Sequence, residues 1–352
     1  MSTDTGSVST FPSDRKTLLD ASWLEQSLDL VRPGERVVAV EAVDSSRTVA
    51  EKIRFSVTVE ALDGTRRTHP LCAKGHFDDD MNSLHTEAAF YRYLRPTLPV
   101  RAPGAYFTGL DVQARRGLIV MDDIVALGGT IGSAHQPYSL DMCRDTLSQL
   151  ALLHASTWGD KMPKQEWVAP RVALMVELFP TEMLQELLDD GRGPDLSVQL
   201  RDADKLKAAM LRTADKPATC LLHGDTHSGN SYRDAQGRAC WFDWQITQRG
   251  HWSVDIAYHL GTVLTIEDRR THEADLLRHY LAELDRHGAR APAFDEAWDA
   301  YASGFAWGYF LWTITRISSR EVVLLHIPRL GAALTDHDTF GRLGVGDAAT
   351  CV

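Results

Sequence analysis

Between Thr219 and Gln245 the chain reads TCLLHGDTHSGNSYRDAQGRACWFDWQ, and this stretch constrains the fold more than any other. An apolar run, Cys220 to Leu222, delivers His223-Gly224-Asp225, and Asn230 follows five residues after that Asp. A second apolar run, Ala239 to Phe242, ends at Asp243. The pattern predicts two short strands, each presenting a polar side chain at its end, with a tight turn around Gly237 between them.

The body around this stretch is large. At 352 residues the chain exceeds the usual size of one core, so two packed lobes are expected. With 44% hydrophobic and 24% charged residues it is ordinary for a globular protein, which excludes global disorder. A net charge of −11 argues against nucleic acid as a partner and tilts weakly toward cationic ligands. The five cysteines form no CxxC pair, and MSTDTGSVSTFPSD lacks an apolar h-region, which together point to a reducing compartment. The longest apolar run, Phe305 to Ile314, is too short to span a bilayer. A soluble cytoplasmic protein without a membrane partner is expected.

Along the chain, a Ser/Thr-rich tail over residues 1–15 reads as disordered. An amphipathic helix follows, with Leu18, Leu19, Trp23, Leu24 and Leu28 on one face, closed by Pro33-Gly34. Alternating β-branched runs predict strands over 36–43, 52–61 and 68–74, the last two joined at Asp63-Gly64. A helix fits 82–94, and two more strands fit 105–110 and 117–121. Helical periodicity dominates from about residue 137, with helices expected over 143–158, 172–189, 199–213, 272–287 and 292–316.

The polar residues within this frame suit phosphoryl transfer. That reaction needs a carboxylate facing the acceptor hydroxyl, hard oxygen ligands for Mg²⁺, and a fixed cation against the nucleotide phosphates. Asp225 supplies the first, Asn230 and Asp243 the second, and Lys74, at a strand end with Glu87 on the next helix to hold it, the third. His223 reads as a brace of the turn at Gly224, and His227 reads first as a support of the loop and second as a phosphate contact. Two alternatives compete. His223, Asp225 and His227 alternate like a metal-binding His-x-Asp box, but a facial triad needs a third His on a jelly-roll sheet, whereas the following segments read as helical. Lys74 alone would be a surface charge.

HGDTHSGN, FDWQ and WSVDIAYHL resemble the aminoglycoside phosphotransferase and choline/ecdysteroid kinase-like superfamily, as do TEAAFYRYL, GLIVMDDI and LALLHASTW upstream. These matches run in family order from about residue 16 to 316. The resemblance implies an α+β, protein-kinase-like two-lobed fold: a nucleotide-binding lobe over 16–124, with an antiparallel sheet and one helix, and a mainly helical catalytic and substrate-binding lobe over 125–352. It implies ATP or GTP with Mg²⁺, and a hydroxyl on a small molecule as acceptor. Carried over residue by residue, Asp225 is the catalytic base, Asn230 and Asp243 hold metal, and Lys74 binds phosphate with Glu87 as its partner. Asp122 and Ile124 occupy hinge positions whose backbone meets the adenine, and Asp255 braces the catalytic loop.

The first hairpin departs from the pattern. Kinase folds place glycines there, whereas residues 44–50 read DSSRTVA, leaving Ser45 and Ser46 as hydroxyl donors to phosphate. This departure keeps a nucleotide-binding pseudokinase as the rival reading. The aromatic segment from Trp298 to Trp312 reads first as lobe core, and second as a wall for the acceptor.

Overall fold

A computed structural model of the chain describes residues 11–47, 50–75 and 84–346. Residues 1–10, 48–49, 76–83 and 347–352 lie outside it, and with them most of the expected tail, the tip of the first hairpin and the start of the helix expected at 82. The end of the tail is ordered. Asp14 caps helix α1 (Arg15–Leu18), and Asp20 caps α2 (Ala21–Ser27) by accepting from Trp23 N–H at 3.0 Å, so the single expected helix is broken in two.

Five strands follow: β1 (Arg36–Arg47), β2 (Glu51–Glu60), β3 (Arg66–Gly75), β4 (Ala105–Asp111) and β5 (Arg116–Asp122), in the antiparallel order β1-β2-β3-β5-β4. The period-2 alternation of β2 places Ile53, Phe55, Val57 and Val59 on one face, against Leu18, Leu24 and Leu28 of the two helices. The opposite face carries Lys52 and Arg54 directly across from Lys74 and Cys72 of β3. Because Lys74 reaches the catalytic-looking stretch, this face borders the cleft. Helix α3 (His85–Ala89) packs on β4 and β5 and continues as a wider π turn over Phe90–Leu94.

The remainder is mainly helical. Strand β6 (Thr130–Ile131) and helix α4 (Leu140–Ser156) come first, then α5 (Val172–Leu178), α6 (Thr181–Asp189) and α7 (Ala203–Ala214). The short strands β7 (Cys220–Leu222), β8 (Ser231–Arg233), β9 (Ala239–Trp241) and β10 (Gln248–Gly250) follow, and then α8 (Ser253–Val263), α9 (Ile266–Arg286), α10 (Phe294–Ala302), α11 (Ala306–Ile314), α12 (Arg320–Asp336) and α13 (Thr339–Arg342). Every residue of α8 is buried, which makes it the axis of this half.

Two expected helices are divided. Pro180 separates α5 from α6: it has no N–H to continue the ladder, and Phe179 before it is extended, with φ −117° and ψ 102°. Gly304 separates α10 from α11 where a Cβ would lie 2.6 Å from the Ser253 carbonyl, so the chain bends around α8. Helix α12 was not expected, because its internal Pro328 disrupts the periodic signal. The first hairpin also differs from expectation. β1 stays paired through Arg47, so Ser45 and Ser46 are exposed strand residues opposite Ile53 and Lys52.

Candidate active site

The turn after β7 carries the first carboxylate. Gly224 sits at φ +87°, and a Cβ there would lie 2.3 Å from the Ile246 carbonyl, so only glycine fits. The N–H groups of His223 and Gly224 donate to the two carboxylate oxygens of Asp255 on α8, at 2.7 and 2.9 Å. His154 Nε2 donates to the same group at 3.2 Å, with its Nδ1 paired to the Tyr280 hydroxyl at 2.8 Å. A buried carboxylate is tolerated only when its lone pairs are met, and three donors meet this one. Trp307 Nε1 donates to the Gly224 carbonyl at 2.7 Å, fixing the turn from α11.

Both expected supporting histidines are engaged. His223 Nε2 donates to the Phe242 carbonyl at 3.0 Å while its Nδ1 accepts from Asp225 N–H at 3.2 Å; burial holds its pKa below the ordinary value, so the ring is neutral. His227 Nδ1 accepts from Gly229 N–H at 3.1 Å, and its Nε2 stands 3.7 Å from Asp225 Oδ2. Among the described residues, no group of three His, Cys, Asp or Glu could enclose a metal ion.

Asp225 itself is partly open to solvent. Its Oδ2 accepts from Asn230 Nδ2 at 2.8 Å and its Oδ1 from the Tyr258 hydroxyl at 2.9 Å. Asn230 in turn receives Phe242 N–H on its carbonyl at 3.0 Å, which ties the first turn to the end of β9. Asp243 follows at φ +64°, a left-handed conformation that Asp adopts more readily than most residues. Its Oδ1 is 2.9 Å from Lys74 Nζ, and the same ammonium is 2.7 Å from Glu87 Oε2. Burial disfavours the charge on Lys74, but Asp243 and Glu87 outweigh it and push its pKa up to about 12. Burial likewise works against Asp243, yet Lys74, with Lys52 beyond it, holds that carboxyl below the ordinary range.

Helix α3 is fixed against this centre. Glu87 Oε1 accepts Trp244 N–H at 3.3 Å, Phe90 stacks on Trp244 at 3.9 Å between ring centroids, and the Arg171 guanidinium bonds Thr86 Oγ1.

A family model described as the phosphotransferase enzyme family matches residues 54–294. The chain belongs to that family. No curated protein matches the phosphotransferase. Among solved structures, it is similar to the Plasmodium vivax ethanolamine kinase at 14% identity and TM-score 0.55, covering 94% of this chain and 91% of that one. It is similar to the choline kinase LicA from Streptococcus pneumoniae at 12% identity and TM-score 0.51, covering 85% and 94%. The GDP and kanamycin complex of APH(2")-IIia matches at 13% identity and TM-score 0.50, covering 90% and 98%. At such identities the likeness is one of fold, the two-lobed protein-kinase-like fold that the sequence led us to expect.

The ten residues expected at the site of the phosphotransferase besides Ser45 and Ser46 fall into two groups. Lys74, Glu87, His223, Asp225, His227, Asn230, Asp243 and Asp255 form the connected cluster just described. Asp122 and Ile124 lie apart, at the passage from sheet to helices. Asp122 N–H is already used on the Gly104 carbonyl at 2.9 Å, and its side chain accepts from Gly104 N–H and the Tyr106 hydroxyl. The Ile124 carbonyl accepts Gly129 N–H at 2.8 Å, which leaves the Ile124 N–H as the group without a partner among the described residues.

Ser45 and Ser46 are exposed residues of the edge strand β1, where Ser45 Oγ accepts from Arg15 at 3.4 Å and Ser46 lies opposite Lys52. Tyr258 and Trp307 were missed. Tyr258 was recoverable, since it lies one helical turn after Asp255 and so shares its face.

The donor set suits a hard divalent cation. Asn230 commits its amide N–H groups to Asp225, which leaves its Oδ1, and Asp243 has Oδ2 beyond its Lys74 contact. Two oxygens fit an ion such as Mg²⁺, which keeps several waters and takes others from phosphate.

Most of the aromatic segment is core: Tyr301, Phe305, Trp307, Tyr309 and Phe310 are fully buried. Trp312 is the member turned to the site, 5.2 Å from His227 and 4.1 Å from His326 between ring centroids.

Proposed function

We propose that the phosphotransferase is an ATP- or GTP-dependent, Mg²⁺-dependent kinase that phosphorylates a hydroxyl group of a small molecule. The observation that carries this reading is the convergence of Asp225, Asn230 and Asp243 with the buried Lys74–Glu87 pair reaching across from the sheet. Asp225 orients the acceptor hydroxyl and takes its proton as the new P–O bond forms and the bond to the nucleoside diphosphate breaks. The neutral donors Asn230 and Tyr258 hold the Asp225 carboxylate in place without cancelling its charge.

Lys74 is fixed by Glu87 and meets the nucleotide phosphates, while Asn230 and Asp243 hold Mg²⁺, which when bound neutralises charge on those phosphates. The Ile124 N–H is the backbone donor for the nucleotide base. Trp312, with His227 beside it, forms the wall of the acceptor side. The solved relatives named as kinases of ethanolamine and choline, and the one bound to kanamycin, support a small hydroxylated acceptor.

The test has two arms. Thermal shift with ATP and with GTP should show a Mg²⁺-dependent rise in Tm, because a ligand that binds the native state alone stabilises it. Release of nucleoside diphosphate across hydroxylated metabolites and antibiotics should then find the acceptor. No metal-dependent shift at millimolar nucleotide, together with no release above the ligand-free rate, would overturn the proposal.

A further inference from the structure

Three cations stand at the site end of the cleft face of the sheet, and they are treated differently. Lys74 is held by Glu87 and Asp243. Arg54 is held by Asp44 at 2.8 Å and Asp123 at 2.7 Å. The Lys52 side chain makes no ion pair or hydrogen bond with any described residue, although its backbone lies in the ladder between β1 and β3. Yet the register places Lys52 directly opposite Lys74, on the same face of the antiparallel pair. Like charges facing one another in this way destabilise a sheet unless an anion lies between them.

The neighbouring hairpin explains what such a cation is for. In a glycine-rich turn, free backbone N–H groups approach the phosphates. Here the ladder of β1 and β2 continues to the Arg47–Glu51 pair, and Ser45 and Ser46 are paired strand residues on an exposed edge. The pairing therefore commits the β2-facing backbone groups of this stretch to the ladder, and the turn sequence holds no glycine.

We propose that Lys52 is a phosphate-binding residue that supplies by side-chain charge an anion contact beside a first hairpin whose sequence offers no glycine. The inference rests on the nucleotide reading above. It places the nucleotide phosphates between two ammonium groups, Lys52 from β2 and Lys74 from β3. Lys74 is fixed by its carboxylates, whereas Lys52 is drawn in only when the anion arrives. Such a contact scales with phosphate charge and weakens with salt.

Calorimetric titration of the full chain tests this with adenosine, AMP and ADP and with guanosine, GMP and GDP, each in Mg²⁺ at low and high ionic strength. For the base that binds, K52M should weaken the diphosphate about tenfold, equivalent to about 1.4 kcal/mol. It should weaken the monophosphate less and leave the nucleoside within about twofold. K52R should recover most of the loss, and high salt should narrow the gap between the natural chain and K52M. K52Q serves as a second neutral variant if K52M lowers Tm.

If the natural chain binds diphosphate and the neutral variants bind all three ligands as well as it does, the Lys52 assignment fails while the kinase reading stands. Equal loss for nucleoside and diphosphate also defeats the assignment, because it marks a structural role. Absence of binding by the natural chain to either diphosphate overturns the nucleotide reading and the Lys52 assignment with it.

Discussion

Asp225 follows β7 of the two-stranded sheet β10-β7 and Asp243 follows β9 of the three-stranded sheet β6-β8-β9, and their partners are of opposite kinds. Asp225 is held by an amide and a phenol, Asn230 and Tyr258. Asp243 is held by the ammonium of Lys74. Neutral donors fix a carboxylate's orientation and leave its charge available. An ammonium compensates the charge until a competing cation replaces it. The scaffolds differ in the same sense. The Asp225 turn is built entirely within the helical half, on Asp255, His154 and Trp307, whereas Asp243 depends on Lys74 and Glu87 from the sheet. One carboxylate is therefore prepared before any ligand arrives, and the other is completed by one. That division suits an acceptor-facing base and a metal ligand.

The largest expected effect would break this comparison if it failed. In the proposed reaction Asp225→Ala should lower kcat by about 10³-fold, within the range for a positioned general base, and leave the affinity for Mg²⁺–nucleotide within about twofold. Asp243→Ala should instead weaken Mg²⁺–nucleotide binding by more than about tenfold, because it removes a charged metal ligand. Single-turnover kinetics and calorimetry on the two variants separate the outcomes. Equal loss of nucleotide affinity in both would mean that the two carboxylates share one role.

A middle-sized effect separates the two scaffolds by pH. His259 is fully buried below the Asp225 turn, with Nδ1 on the Thr226 carbonyl at 2.8 Å and Nε2 paired with Thr146 Oγ1 at 2.7 Å. Burial pulls its pKa down to about 4. In the unfolded chain a histidine takes its proton near pH 6.5, so between about pH 6.5 and 4 the unfolded state binds the proton that the native state refuses.

Stability therefore falls as pH drops through this window, by about 3 kcal/mol for this residue. Lys74 behaves in the opposite direction. Its stabilising contribution is complete below about pH 10.5 and is lost as pH rises toward about 12. Urea unfolding at pH 7 and pH 4.5 should show the acid loss, and His259→Gln should reduce its slope by one proton's worth. An unchanged slope in that variant would remove His259 from the acid-sensitive side.

Much of this arrangement was legible in the chain. The strand-end carboxylates, Asn230 and the Lys74–Glu87 pair are encoded by short-range patterns: an apolar run, a polar residue at its end, and a fixed spacing. The fold class and the five sheet strands follow from period-2 alternation for the same reason. What escaped depends on tertiary packing. Pro180 and Gly304 break helices whose apolar periodicity runs through the break, and Pro328 sits within α12 despite being a local stop signal. The orientation of Ser45 and Ser46 is decided by how far β1 stays paired, which residue composition does not encode. Trp307 read as core, and it is, but its indole N–H also reaches the Gly224 carbonyl, a contact set by how α11 packs against the turn.

The smallest expected effect sharpens the comparison most. Tyr258→Phe removes one hydroxyl and keeps the ring, so packing on α8 is retained and only the 2.9 Å bond to Asp225 Oδ1 is lost. A buried hydrogen bond to a charged group contributes about 2 kcal/mol, so stability should fall by no more than that. Asp225 would keep its Asn230 anchor but lose the second point that fixes its plane, and kcat should fall about tenfold with nucleotide affinity unchanged. If kcat is instead unaffected, Asn230 alone orients the carboxylate and the phenol is packing. If the loss equals that of Asp225→Ala, the hydroxyl takes part in the chemistry itself, and the neutral-donor side of the comparison must be redrawn around Tyr258.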